Sequence, residues 1–461
     1  MTRLVAVSNR VIRPRSGKAS GGLAVGVMAA LQGHGGVWFG WSGRTTPQEP
    51  DDAKVVKAGN VSFATIDLNE EDFDGYYNGF SNNCLWPLFH YLLGFFHFDR
   101  QQYNAYCRVN ELFARKLAPL LEPGDIIWVH DFHLIPLATE LRRLGVEQPI
   151  GFFLHVPFPS FDVLRALPPY LHILRSLAAY DVVGFQTQRD LFSFEESVEQ
   201  SELAGDVRGE GWIEACGRRF RAGAFPIGID VEACESLAME NLDHPQVQRL
   251  VNSLERRALM IGVDRLDYSK GLELRFRAYE RLLSDYPNNL GRVIFMQIAP
   301  PTRTGVRTYQ EIREELERAA GSINGRFAEI DWVPIRYLNR AYSRDVLMAL
   351  LRLARVGLVT PIRDGMNLVA KEYIAAQNPK NPGVLVLSTL AGAARELVDA
   401  VLVNPYDPEG LAEGMQRALS MPLGERCERH RSMLAALRGN DIHAWCRRFV
   451  EALRSTVERP R

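Results

Sequence analysis

The sequence predicts an α/β protein of two doubly wound domains, each built on a mostly parallel sheet, and three observations carry that prediction. Short β-branched runs alternate with segments of helical period in both halves of the chain. Several of these runs end in loops that hold glycine, aspartate or a basic residue just before a helix begins, which is where open α/β sheets bind their ligands. A length of 461 residues suffices for two or three domains with full-sized cores.

The second half is the more regular. Apolar runs at residues 258–263, 293–298, 356–360, 384–387 and 401–403 have the length and composition of buried parallel strands. In the first half, runs at residues 4–7, 126–130, 150–154 and 182–185 share that character, but an aromatic-rich insertion over residues 72–106 interrupts them. The expected boundaries are 1–235 for the first domain and 236–439 for the second, with a linker near 232–256 and a last helix over 440–461. That helix carries Ile442, Trp445, Cys446, Phe449, Val450 and Leu453 as one apolar stripe, which reads as core without saying which domain it covers.

Bulk properties narrow the function classes. A formal net charge of -1 offers no field for nucleic acid or an anionic membrane surface. No apolar stretch approaches a membrane span, and the opening MTRLVAVSNR reads as a buried strand, not a signal-peptide core. Six cysteines without C-x-x-C spacing indicate neither zinc nor a disulfide framework, and free thiols suit a reducing cytoplasm. P-loop, zincin and serine-hydrolase signatures are absent, as is a G-x-G-x-x-G after the first strand.

The segment TPIRDGMNLVAKE, residues 360–372, is the most informative. It joins an apolar run to a helix start and places Asp364, Gly365, Met366 and Asn367 between them. A helix N-terminus offers free N–H groups and the positive end of a dipole, here at Asn367, Leu368 and Val369, so it suits phosphate. Asp364 and Glu372 flank that point as hydroxyl acceptors, a pattern that fits a nucleotide sugar. A second strand-to-helix loop, VDRLDYSKG, supplies Arg265 and Lys270, two cations able to neutralise a diphosphate. Either loop alone is also ordinary turn chemistry.

First-half strand ends add further candidates. Ser20-Gly21-Gly22-Leu23 opens a helix after the first strand, and Arg10 closes that strand. Asp131 follows the run IIWVH and His155 follows IGFFL; an N-cap for Asp131 and a structural place for His155 remain open alternatives. Tyr77 and Trp86 stand among polar residues of the insertion, where aromatic rings can face the C–H surface of a sugar. Arg303, in APPTR, could pair with Arg10 on a phosphate monoester.

Taken in order, VSNR, SGGLAVG, YYNGFSN, LWPLFHY, WVHDFHLIP, FFLHVPFP, GFQT, VDRLDYSKGL, QIAPPTR, INGRF, RDGMNLVAKEY and NPGVLVLS resemble the trehalose-6-phosphate synthases over nearly the whole chain. The resemblance implies the GT-B architecture, in which two Rossmann-like domains face each other across a cleft and a C-terminal helix crosses back to the first. It also implies retaining transfer of glucose from UDP-glucose to glucose 6-phosphate, giving α,α-trehalose 6-phosphate and UDP. The sequence offers no acidic metal cluster, so Arg265 and Lys270 are expected to replace a divalent ion, with no metal or other cofactor required, and the free thiols lead to the cytoplasm as the expected compartment. Carried over by motif, acceptor contacts fall on Arg10, Tyr77, Trp86, Asp131 and Arg303. Donor contacts fall on Gly21, Gly22, Arg265, Lys270, Tyr342, Asp364, Gly365, Met366, Asn367, Leu368, Val369 and Glu372. Glu372 matches the ribose ligand, and Tyr342 stands where an aromatic residue, often Phe, lies near the base. Catalysis is expected to rest on His155, Asp131, Arg265, Lys270 and Asp364, with same-face attack and domain closure over the substrates. The partners expected are these two small substrates, with no nucleic acid and no membrane, and a homo-oligomer is left open. Two rival readings stand beside this one: a synthase joining ADP-glucose to glycerol 3-phosphate, and a non-catalytic sugar-phosphate-binding regulator.

Overall fold

The computed structural model describes residues 3–12, 22–48, 52–203, 206–208, 211–302 and 307–456. The chain divides into two compact units, Met1–Ile227 with Ile442–Arg461, and Gly228–Asp441.

Among the described residues, the sheet of the first unit contains β1 (Leu4–Arg10), β2 (Gly36–Thr46), β3 (Lys54–Ala58), β4 (Val61–Asn69), β5 (Ile126–His130), β6 (Ile150–Phe153), β7 (Val182–Phe185), β8 (Asp206–Arg208), β9 (Trp212–Ala215) and β10 (Arg218–Ala224). Their order is β3-β4-β2-β1-β5-β6-β7-β10-β9-β8. From β4 to β10 the neighbours run parallel, while β3 at one edge and the β8–β9 ribbon at the other pair antiparallel. Central strands such as β5, with every residue buried, read as unbroken apolar runs because helices cover both faces. β2 and β4 are less legible: glycines break the aromatic run GVWFGWSG, and polar residues interrupt VSFATIDLN.

The second unit is simpler. Its sheet contains β11 (Ala258–Val263), β12 (Val293–Ile298), β13 (Ile335–Leu338), β14 (Val356–Val359), β15 (Val384–Ser388) and β16 (Val401–Val403). The order is β13-β12-β11-β14-β15-β16 and the neighbours run parallel throughout. β13, with the short sequence IRYL and only its first residue buried, gives no apolar run. The segment expected as a linker is two helices, Val231–Glu240 and Pro245–Leu254, that bury Val231, Cys234, Ala238, Val247, Leu250 and Leu254.

Both sheets are therefore doubly wound and reverse their winding at one point, between β1 and β5 in the first unit and between β11 and β14 in the second. A crevice opens at such a point because the two following loops turn to opposite faces of the sheet. The last helix, Ile442–Ser455, returns to the first unit and lays its apolar stripe on that sheet: the Phe449 ring stacks on Trp128 with centroids 4.5 Å apart. Among the described residues, no helix is long and apolar enough to cross a membrane.

Candidate active site

In the second unit the reversal point is filled from both sides. The loop after β11 carries Arg265 and Lys270, and the loop after β14 carries the residues from Asp364 to Val369. Lys270 Nζ donates to Asp364 Oδ2 at 2.5 Å, and Asn367 Nδ2 donates to the same oxygen at 3.0 Å. Lys270 and Asn367 are buried, while Arg265 is exposed. An ammonium carries three donors, so the bond to Asp364 leaves two for a ligand.

The helix Leu368–Ala376 begins here with Asn367 as its cap, at φ 74°, its side chain accepting from Ala370 N. That left-handed backbone, costly for a non-glycine residue, turns the chain sharply out of β14 and leaves the N–H groups of Leu368 and Val369 at the helix start. Gly365 and Met366 are tied by their carbonyl side to the next loop: Met366 O accepts from Ala393 N at 2.8 Å, and a Cβ on Gly392 would lie 1.9 Å from Gly365 O. One turn into the helix, the Glu372 carboxylate lies 3.4 Å from Arg344 Nη2. Burial raises the pKa of Glu372 and Arg344 opposes the rise. Tyr342 follows β13, its ring 4.8 Å from the Arg340 guanidinium and its hydroxyl accepting from Arg340 Nε at 2.8 Å.

In the first unit the reversal point brings together Arg10, at the end of β1, and Asp131, just past β5. Asp131 has φ 75°, a second strained non-glycine residue at a strand end. Its N–H donates to Phe153 O, and its Oδ1 accepts from the backbone N–H of His155 at 3.3 Å. The His155 ring lies beside His130, with Nε2 and Nδ1 3.2 Å apart. Burial pushes His155 down to about 3 and His130 well below the usual histidine value, so both rings are neutral near pH 7. Tyr77 stacks on His133 and Phe73, with centroids 5.7 and 5.4 Å away. Trp86 is buried against His90 and Phe132. The exposed Arg10 guanidinium lies 5.6 Å from the Trp41 ring. Gly22 is the first residue of the helix Gly22–His34; Gly21 and Arg303 lie outside the described residues.

The family model for glycosyltransferase family 20 matches residues 9–455. The chain belongs to glycosyltransferase family 20. It is 51% identical over 455 residues to a trehalose-6-phosphate synthase of Klebsiella pneumoniae, covering 98% of this chain and 95% of the relative. Its structure is similar to that of a UDP-forming α,α-trehalose-phosphate synthase from Burkholderia xenovorans in complex with glucose 6-phosphate, with a TM-score of 0.94 and 50% identity over 98% of this chain and 100% of the other. A solved E. coli relative bound with UDP-2-fluoro glucose gives a TM-score of 0.94 and 48% identity over 98% of each chain.

Sequence reasoning missed several residues that shape this family 20 site. Arg275, fully buried, donates to Asp264 at 2.6 Å, to Gln297 at 2.8 Å and to Thr360 at 2.9 Å, and so joins the roots of both phosphate-side loops. Ile362 N adds a backbone bond to Ser269 O. Tyr76 donates to Asn9 Oδ1 at 2.9 Å from a π-helical stretch, Asp74–Leu85, which fixes the aromatic insertion against β1. An arginine five residues past a lysine inside an amphipathic helix looks like a solvated charge, so nothing in the sequence singled out Arg275. Among the described residues, no group of three or more His, Cys, Asp and Glu side chains is placed to hold a metal ion.

Proposed function

We propose that the chain transfers glucose from UDP-glucose to glucose 6-phosphate with retention, forming α,α-trehalose 6-phosphate and UDP. The observation that carries this reading is the paired loop at the reversal point of the second sheet, where Lys270, Asp364 and Asn367 share hydrogen bonds at a helix start. Full-length identity near half to synthases of this product supports the same substrates.

On this reading the diphosphate takes the N–H groups of Leu368 and Val369, one or more remaining donors of Lys270, and the exposed cation Arg265, with Gly21 and Gly22 approaching by backbone. Glu372 accepts from the ribose, Tyr342 lies toward the base, and Asp364, Gly365, Met366, Asn367 and His155 surround the transferred glucose. As the anomeric C–O bond to UDP breaks, charge grows on the diphosphate, and preorganised donors stabilise it most at that moment. The acceptor hydroxyl attacks from the same face and passes its proton to the departing phosphate oxygen while the new C–O bond forms. Neutral His155 serves as a hydrogen-bonding group and not as an acid. Arg10 and Arg303 hold the phosphate of glucose 6-phosphate, and Tyr77, Trp86 and Asp131 hold its ring. Arg265 and Lys270 take the part a divalent ion plays in other transferases, so turnover is expected to survive EDTA. The six thiols and the substrates suit the cytoplasm.

The test is a kinetic panel of UDP-, ADP- and GDP-glucose against glucose 6-phosphate and glycerol 3-phosphate. UDP-glucose with glucose 6-phosphate is expected to give the highest kcat/KM; preference for glycerol 3-phosphate would move the function to the rival synthase, and no turnover with any pair would revive the regulatory reading.

A further inference from the structure

The second unit has another cavity, of about 510 Å³, at the amino ends of β11, β14 and β15, the end of the sheet opposite the Lys270 and Asp364 loops. β11 alone separates the two ends by roughly 20 Å at about 3.3 Å per residue. Arg256, Arg257, Arg352, Arg355 and Arg426 line the cavity, with Asn381 among the other groups and no acidic residue in its wall. Five guanidiniums around one space are unusual unless carboxylates balance them, and here the balance is incomplete.

Arg257 is ion-paired, with Glu255 at 2.8 Å and with Asp331. The other half-buried guanidiniums rest on neutral groups. Arg352 donates to Ala376 O at 3.0 Å, and Arg355 donates to Leu419 O and Met421 O, each at 2.9 Å. Arg426 donates to Asn381 Oδ1 at 2.7 Å and to Pro382 O. Arg355 Nη1 and Arg426 Nε are buried donors without a protein partner, and Arg256, exposed at the rim, has no side-chain partner among the described residues. Burial depresses the pKa of Arg352, Arg355 and Arg426; Arg426 adds to the effect on Arg355, while Glu235 opposes it at Arg352. A purely structural arginine cluster would spend its donors on carbonyls and carboxylates. This one keeps two buried N–H groups and an excess of positive charge around a cavity of ligand size.

We propose that this cavity is a second anion site, one that takes a small multiply charged phosphate compound and lies apart from the substrate loops. Guanidiniums in this number match the forked oxygens of phosphate groups, and the apolar walls from Leu242 and Leu353 leave room for an organic moiety beside them.

The test is calorimetric titration of inorganic pyrophosphate into the full chain saturated with UDP and glucose 6-phosphate, which occupy the substrate site without reacting. One equivalent is expected to bind under those conditions. Arg355→Gln and Arg426→Gln should each weaken it roughly tenfold or more, the usual loss on removing a charge-assisted donor pair. Arg256→Glu, at an exposed and unpartnered position, should weaken it without altering the thermal transition or basal turnover, and so decides the matter if the variants at Arg355 and Arg426 fold poorly. Arg265→Ala should leave it intact. Absence of binding once UDP and glucose 6-phosphate are present, or affinity unchanged in Arg256→Glu and Arg355→Gln alike, would overturn the proposal.

Discussion

At the scale of single residues, Arg265 and Lys270 play different parts although both are cations of one loop. Lys270 is buried and held in place by Asp364 before any ligand arrives, whereas Arg265 is exposed on the same loop. Arg265→Ala is therefore expected to lower kcat by roughly 10²–10³-fold, the usual loss for one preorganised donor to a developing anion, with a smaller change in donor KM. Steady-state kinetics in both substrates would show it, and an unchanged kcat would remove Arg265 from the mechanism. His130 and His155 make a pH prediction. Burial holds both below the unfolded value, so in acid the unfolded chain binds protons that the folded chain does not. The stability they allow is present above about pH 6.5 and is lost as pH falls below it, by about 1.4 kcal/mol at pH 5.5 for His155, with a further loss in the same direction from His130. Tm measured from pH 7.5 to 5 should fall, and His130→Gln should flatten the slope; an equal slope in the variant would contradict the assignment.

At the scale of elements, the loops after β11 and β14 behave as one piece because Arg275 ties their roots. Replacing it with Met leaves Asp264 buried without its cation, which is expected to cost about 3–5 kcal/mol. Arg275→Lys should recover little, since a single ammonium cannot reach Asp264, Gln297 and Thr360 together. Chemical denaturation of both variants checks this, and a loss under about 1 kcal/mol would refute it. Much of this arrangement was legible in the sequence: Asp364, Asn367, Arg265 and Lys270 lie in loops between an apolar run and a helix start, and that chemistry is local. Arg275, Gly392 and Arg344 were not, because each acts through a partner far away in sequence. β13 and the paired strands β2 and β4 escaped for a related reason, since tertiary pairing makes them strands where their own composition does not.

At the scale of the whole molecule, the chain leaves its first unit at Ile227 and returns to it at Ile442, so the last helix closes the core it began. The apolar stripe from Ile442 to Leu453 was visible in the sequence and the resemblance implied its return to the first domain, but the small residues that receive it were not evident. Three glycines make that seat: a Cβ on Gly151 or Gly184 would lie 2.7 Å from the Phe449 ring, and one on Gly26 would lie 3.1 Å from Trp445. Trp445 itself is fully buried and packs 4.7 Å from Trp128. Trp445→Ala should cost about 3–5 kcal/mol by cavity formation, read as a lower denaturation midpoint with the slope unchanged. A neutral effect would mean that the helix is dispensable to that core.

We propose above all that glucose passes from UDP-glucose to the anomeric hydroxyl of glucose 6-phosphate with retention at the transferred centre. Proton NMR of the product formed from UDP-glucose and glucose 6-phosphate tests it most directly. A 1,1-linked disaccharide phosphate with both anomeric centres α is expected; a β centre at the transferred glucose, or release of free glucose alone, would overturn the assignment.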